Sequence, residues 1–179
     1  MLVSIGENAV NYENGERPRA MVIRSVVLWV HVLCGVIWVG TTASFLLAIS
    51  AMTAESAEWR DFALRAAPRI NRINVVAALI IPMTGAGNLF SAALIRHSPF
   101  PPAFVGIVAI KVVLFFIMGV MLAAAFAAER TMRESFAGER LDHDFGDGVA
   151  ALRRLVRLYG TIAALGAVAL VLGLWLAGT

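Results

Sequence analysis

Long apolar runs separated by short polar segments dominate the chain. Four of these runs approach the ~20 residues that a helix needs to cross the hydrocarbon core of a bilayer. They cover residues 25–51, 74–95, 103–128 and 155–178. The pattern therefore predicts an all-α integral membrane protein whose four transmembrane helices form an antiparallel bundle.

The polar segments leave little room for anything besides this bundle. Residues 1–24 form a polar N-terminal tail, and residues 25–179 form one transmembrane domain. The tail lacks the short apolar core and small-residue cleavage site of a signal peptide. We expect the first apolar run to remain as a spanning helix, with translation starting at either Met1 or Met21.

The composition also favours a membrane location. Of the 179 residues, 60% are hydrophobic and 15% are charged, whereas soluble domains have roughly 45–50% apolar and about 25% charged residues. The net charge of +3 comes from arginines beside the apolar runs. Arginines in such places are typical of proteins oriented in a membrane, so we expect contact with the lipid bilayer and no nucleic-acid binding.

The distribution of the arginines predicts the orientation. The larger group lies in or beside the first and third segments between the apolar runs: Arg60, Arg65, Arg69, Arg72, Arg130, Arg133, Arg140, Arg153, Arg154 and Arg157. The opposite side has a smaller group: Arg17, Arg19, Arg24 and Arg96. Because basic residues favour the cytoplasmic side, both termini are predicted to lie on the outer, periplasmic side of a bacterial cytoplasmic membrane.

Charged residues after the third apolar run are spaced four apart, as Glu129–Arg133 and Arg130–Glu134. Opposite charges at this spacing pair on the surface of a helix. The third helix is therefore predicted to extend past the membrane and to carry paired charges there.

One ionisable residue, His31, lies inside the first apolar run. Such residues are costly in lipid and are kept where they function or are paired. At 1.5 Å per residue, His31 lies roughly 9 Å below the outer end of its helix. Lys111 lies about 10 Å below the start of the third helix, and Asn88 about 9 Å from the outer end of the second. The three side chains are therefore predicted at one level in the outer half of the bundle.

Helical spacing also places these residues on common faces. His31, Gly35 and Trp38 share one side of the first helix. Thr84 and Asn88 belong to a polar and small stripe on the second helix. These faces and Lys111 are predicted to converge between the helices.

The first helix resembles a known signature. Trp29-Val30-His31 followed by Ile37-Trp38-Val39-Gly40 resembles the first-helix motif of the CopD-like and HemJ-like four-helix integral membrane proteins. Lys111 stands where HemJ-type proteins carry a lysine. The resemblance implies that His31 is an axial ligand to haem b and that Lys111 lies close to it. If the chain is an enzyme, the resemblance implies a membrane oxidoreductase of the HemJ-like type.

The residues themselves are compatible with such a cofactor. Imidazole is a common haem ligand, and helix bundles hold cofactors between facing helices. Around His31, Gly35 is expected to leave room for the macrocycle, Trp38 to pack against it, and Lys111 to neutralise a propionate. Two simpler interpretations stay open: His31 joins helices by a hydrogen bond to Asn88 or Thr84, and Lys111 extends its ammonium to the headgroups.

Copper handling or transport is a lesser alternative. Cys34 is three residues from His31, and thiolate and imidazole both bind Cu(I). The methionines that would complete such a site are dispersed: Met83, Met118 and Met121. Haem is therefore favoured over copper.

A competing hypothesis is a non-catalytic accessory subunit of a larger respiratory or photosynthetic membrane complex. Its basis is the small residues on the fourth helix, more than one bundle needs: Gly160, Ala164, Gly166, Ala167 and Gly173. Such residues let helices approach closely. They predict a membrane-protein partner or a homo-oligomer.

Overall fold

A computed structural model of the chain describes residues 6–53, 56–95, 99–137 and 142–178. Four helices account for almost all of these residues: α1 (Gly6–Ser50), α2 (Ala57–Ile95), α3 (Pro102–Ala137) and α4 (Asp142–Gly178). Each helix contains a segment long and apolar enough to cross a membrane. The prediction of an all-α protein with four such helices is confirmed.

The helices are longer than the apolar runs. The predicted polar tail is helical from Gly6, α2 begins at Ala57 instead of residue 74, and α4 begins at Asp142 instead of residue 155. The predicted first and third loops are therefore mostly helix. The described side chains in the added segments of α2 and α4 form an amphipathic pattern, with a buried alanine or leucine face and exposed arginines. Hydropathy alone missed them because half of their surface is polar.

The extension of α3 agrees with the predicted charge pairs. Arg130 Nε donates to Glu134 Oε1 at 2.7 Å on the exposed surface. Arg133 Nη1 lies 3.8 Å from Glu129 Oε1, but the Glu129 side chain is buried. Glu129 therefore does more than balance a neighbouring charge on the helix surface.

Close packing is confined to one half of the bundle. This basic half, which holds most of the arginines, comprises α1 after residue 37, α2 before residue 78, α3 after residue 117 and α4 before residue 167. In the other half, the His31 half, Ile107 is the one described residue that is buried. The helices are therefore tightly joined at one end and loosely packed at the other.

A buried hydrogen-bond network joins three helices in the basic half. Asn71 of α2 donates through Nδ2 to Glu129 Oε2 of α3 at 2.5 Å. The Tyr159 hydroxyl of α4 donates to Asn71 Oδ1 at 2.8 Å. All three side chains are buried, and Asn71 is the hydrogen-bond partner of both Glu129 and Tyr159. Removing one partner would leave a buried polar group unsatisfied, at a cost of about 1–3 kcal/mol.

A second buried contact adds α1 to this network. Asn74, one turn along α2 from Asn71, donates through Nδ2 to Thr42 Oγ1 at 3.3 Å. The Thr42 hydroxyl in turn donates to the Trp38 carbonyl at 2.8 Å. Apolar packing surrounds these contacts, with Phe45 lying edge-to-face on Tyr159. The basic half is thus fixed by polar contacts that involve all four helices.

Gly166 lies where three helices come closest together. A Cβ at this position would lie 2.5 Å from Val39 Cγ2 of α1 and 3.4 Å from Met118 Cε of α3. Only a glycine therefore permits this approach of α4 to α1. The small residue predicted from the sequence to serve helix packing does so here.

We predict that Gly166→Ala destabilises the protein by about 1–3 kcal/mol, because the added methyl overlaps Val39. Gly160→Ala is the matched control, since a Cβ there meets nothing within 4 Å. The measurement is the midpoint of thermal unfolding in mild detergent. Equal midpoints for the two variants would contradict the close approach at Gly166.

Candidate functional site

The His31 imidazole lies against α2. Its Nδ1 is 3.0 Å from the Ile81 carbonyl oxygen and 2.9 Å from Thr84 Oγ1. The Thr84 hydroxyl lies 2.8 Å from the Ile80 carbonyl, to which it can donate. A carbonyl oxygen only accepts, so a hydrogen bond to Ile81 places the ring proton on Nδ1. In the neutral imidazole, Nε2 is then unprotonated, and it has no hydrogen-bond partner among the described residues.

Gly85 makes this position of the imidazole possible. A Cβ on Gly85 would lie 3.2 Å from His31 Cε1 and 3.6 Å from Nδ1. The ring therefore rests on bare backbone of α2. Gly85 and the Ile81 carbonyl hold the ring, while Thr84 adds a second polar contact.

Lys111, the one lysine in the sequence, approaches the same place from α3. Its ammonium lies 3.0 Å from the position that a Cβ on Gly173 of α4 would take. It is near enough to His31 for its charge to act on the imidazole. Within the described part of the chain it has no ion pair or hydrogen bond. His31 thus contacts Gly85 of α2, and Lys111 contacts Gly173 of α4. The common depth of His31, Lys111 and Asn88 in a membrane stays a prediction.

These residues are called the His31 cluster: His31, Thr84, Gly85, Lys111 and Gly173. The cluster supports one of the simpler interpretations, since His31 does bond to Thr84 and joins α1 to α2. Asn88 does not contribute to that contact. The hydrogen bond occupies Nδ1 only, so it does not exclude a ligand on Nε2.

Gly35 has a different role from the one expected. A Cβ at Gly35 would lie 3.3 Å from Leu170 Cδ2, so the space beside this glycine is filled by α4. In this structure, Leu170 lies in the space that a macrocycle was expected to take beside Gly35. The glycine instead lets α1 and α4 approach each other.

Trp38 lies two turns after His31 on α1, and its side chain is buried instead of lining an open site. Its ring meets Phe115 of α3 edge-to-face, with the centroids 5.9 Å apart. The side chain is 1% exposed, and its Nε1 has no hydrogen-bond partner among the described residues. Asn88, on the other side of the cluster, has a buried Oδ1 that is likewise unpartnered there.

Unsatisfied polar groups therefore gather around the His31 half. An imidazole nitrogen, an ammonium, an indole N–H and an amide oxygen all lack protein partners in the described residues. Buried polar groups in native proteins are normally paired, and an unpaired one costs about 1–3 kcal/mol; among the described residues this applies to the Trp38 indole and the Asn88 carbonyl. In the basic half, the buried side chains of Thr42, Asn71, Asn74, Glu129 and Tyr159 are hydrogen-bonded to one another or to backbone. The His31 half therefore has the donors and acceptors to hold a polar or charged ligand.

A protein-only metal cluster is not found in the part of the chain that the structure describes. No three side chains of histidine, cysteine, aspartate or glutamate come together there. Cys34 is a half-buried free thiol on the same helix as His31.

Sequence reasoning missed some of these features. The Ile81 carbonyl belongs to the backbone, and no residue pattern marks it as a histidine partner. Asn71 lies three residues before Asn74 on the polar stripe of α2, and this spacing was the available signal for the buried network. Glu129 gave a misleading signal, because its spacing from Arg133 matched a surface pair.

We predict that Gly85→Ala displaces the His31 imidazole, because the added methyl is too close to Cε1. Gly87→Ala is the matched control on the same helix, where a Cβ would lie at an ordinary 3.7 Å from Val27 Cγ1. The measurement is the imidazole ¹⁵N spectrum, with the His31 signals assigned from His31→Ala. Unchanged His31 shifts in Gly85→Ala would contradict the contact.

Comparisons with known proteins do not add a relative to the first-helix resemblance. No family model, no curated protein and no solved structure matches the chain. The resemblance to CopD-like and HemJ-like proteins therefore stays a prediction. The site is interpreted from its own side chains and contacts.

Proposed function

We propose that the four helices span the bacterial cytoplasmic membrane as an antiparallel bundle, with both termini on the periplasmic side. Every helix exposes large apolar side chains, among them Trp29, Met83, Phe116 and Leu174. Patches of this extent mark a membrane or protein contact. Most of the arginines lie in the basic half, which the positive-inside rule places at the cytoplasm.

We further propose that the protein binds haem b in the outer half of this bundle and has a redox or electron-transfer role. The observation that carries the proposal is the placement of His31, whose Nδ1 lies 3.0 Å from the Ile81 carbonyl oxygen while Nε2 has no hydrogen-bond partner among the described residues. Histidines that ligate metals commonly donate their other ring N–H to a carbonyl or carboxylate, which fixes the tautomer and the ring orientation. His31 is therefore preorganised as a ligand.

Lys111 supports an anionic ligand rather than a neutral one. Its half-buried ammonium faces the His31 cluster without a carboxylate partner in the described residues. A haem propionate would neutralise this charge where the local dielectric is low. The unpartnered Trp38 N–H and Asn88 carbonyl are further hydrogen-bonding groups that such a ligand can satisfy.

The chain's own groups would tune this chemistry. Bound haem supplies one-electron redox chemistry, with a potential set by its axial ligand and surroundings. Thr84 and Ile81 orient the imidazole, and the positive charge of Lys111 favours the more reduced state of a nearby centre. The loose packing of the His31 half leaves the helices free to separate slightly around a flat ligand.

An accessory-subunit function is the second candidate. Its support is a groove of about 470 Å³ between α1 and α2, whose α1 wall carries the exposed small residues Gly40 and Ser44. A Cβ on Gly40 or Gly160 would meet nothing within 4 Å, so two small-residue faces lie open at the surface. In a host complex, helices of a partner or of a second copy would cover these faces. Copper handling keeps the weaker basis of Cys34 and His31 alone.

We predict a b-type reduced-minus-oxidised spectrum from protein produced with a haem precursor and purified in mild detergent. His31→Ala should abolish or shift it, because the axial ligand is lost. His143→Ala is the control for loss of a histidine outside the apolar runs. A folded, colourless wild type would overturn haem binding and favour the accessory-subunit function, which a pull-down from native membranes would then address.

We predict that alkaline phosphatase is active when fused after residue 179 or inserted at residue 97, because the enzyme needs a periplasmic location. The same reporter inserted at residue 140 should be inactive, since the positive-inside rule keeps that segment in the cytoplasm. A fluorescent protein that matures in the cytoplasm provides the reciprocal control. The opposite pattern would contradict the orientation while leaving membrane insertion intact.

A further inference from the structure

Two arginines on α4 are unpaired at the exposed surface of the basic half. Arg154 and Arg157, with Leu158 and Thr161, line a shallow cavity of about 310 Å³. Both arginines are exposed, and neither has an ion-pair partner in the described part of the chain. Residues three apart lie on the same face of a helix, so the two guanidinium groups can reach one anion together.

An apolar track leads away from these arginines. From Thr161, exposed residues follow at helical spacing along one line of α4: Ala164, Val168, Val171 and Trp175. The track from Arg157 to Val171 is about 21 Å long at 1.5 Å per residue. It exceeds the roughly 15 Å that one leaflet contributes to the hydrocarbon core.

The polar group at the head of the track is already satisfied. The Thr161 hydroxyl donates to the Arg157 carbonyl at 3.1 Å, so it can lie against an acyl chain without needing another hydrogen-bond acceptor. A Cβ on the neighbouring Gly160 would meet nothing within 4 Å, so no other helix covers this surface. The surface is basic at one end and apolar along the rest, which complements a molecule with an anionic head and an apolar tail.

We propose that Arg154 and Arg157 bind the phosphate of one anionic phospholipid, whose acyl chain lies along the α4 track. Guanidinium groups bind phosphate through charge-assisted, often bidentate hydrogen bonds. Basic sites on the cytoplasmic side of membrane helices select anionic headgroups. The inference rests on the proposed membrane insertion and orientation, and it is independent of haem. A free phosphate would use the arginines but would gain nothing from the track.

The test is native mass spectrometry of the full chain in mild detergent, titrated with phosphatidylglycerol, phosphatidylcholine or inorganic phosphate. Wild type is expected to bind one phosphatidylglycerol in preference to phosphatidylcholine. Arg154→Gln with Arg157→Gln should weaken that binding about 25-fold, since each basic residue near an anionic surface contributes about fivefold. The matched control is Arg69→Gln with Arg72→Gln, which removes the same charge at the same spacing from an exposed face of α2. The control should change binding by less than about threefold.

Two further variants separate the head from the track. Ala164→Trp fills the track, keeps both arginines and should also weaken phosphatidylglycerol binding. Arg154→Lys with Arg157→Lys keeps both positive charges and should keep most of the phosphatidylglycerol binding. Comparison with the glutamine variant then distinguishes loss of charge from misfolding. Equal effects of the α2 and α4 glutamine pairs would overturn the site. Inorganic phosphate that displaces the lipid, with no effect of Ala164→Trp, would overturn the lipid in favour of a free anion.

The same samples distinguish this proposal from the haem proposal. The visible spectrum is expected to be identical in wild type and in all the α4 variants, because these residues lie far along α4 from Gly173 of the His31 cluster. Lipid selectivity without a haem spectrum would support the lipid site and overturn the haem function. A haem spectrum without lipid selectivity would support the haem function and overturn the lipid site.

Discussion

The arrangement of the helices depends on the two hydrogen bonds of the Asn71 side-chain amide. It donates to Glu129 and accepts from Tyr159, so one buried side chain fixes α2 against both α3 and α4. A side-chain amide can do this because its NH₂ group donates hydrogen bonds and its carbonyl oxygen accepts them. In the proposed membrane location, lipid would give no hydrophobic drive for helix association, so satisfied polar contacts and close glycine contacts would specify the packing. Both kinds are concentrated in the basic half.

The two halves of the bundle therefore differ in how closely they pack and in how their polar groups are hydrogen-bonded. The basic half is closely packed, with Asn71, Asn74, Glu129 and Tyr159 hydrogen-bonded and Gly166 holding α4 against Val39. The His31 half is looser, with an imidazole nitrogen and an ammonium that the described residues leave unpartnered. A rigid end can hold the helices in register while the other end accommodates a ligand. This division separates stability from the proposed function.

His31 illustrates why a structural and a functional interpretation of one residue are compatible. Its two ring nitrogens are chemically distinct. Nδ1 joins α1 to α2 through Ile81 and Thr84, while Nε2 has no hydrogen-bond partner among the described residues and is the nitrogen that the proposed function would use. The Lys111 ammonium likewise packs against Gly173 of α4. The contacts between helices therefore also prepare the site.

Four apolar runs were enough to predict four helices, because rise and periodicity are properties of a single helix; the common level of His31, Lys111 and Asn88 stays a prediction. Helix ends were predicted less well, since amphipathic segments such as the start of α2 look polar to a hydropathy average. Burial of Glu129, filling of the space beside Gly35 by Leu170, and the bond to the Ile81 carbonyl depended on tertiary structure. Each of these depends on which faces of different helices meet, and side-chain contacts between distant segments leave no local pattern in the chain.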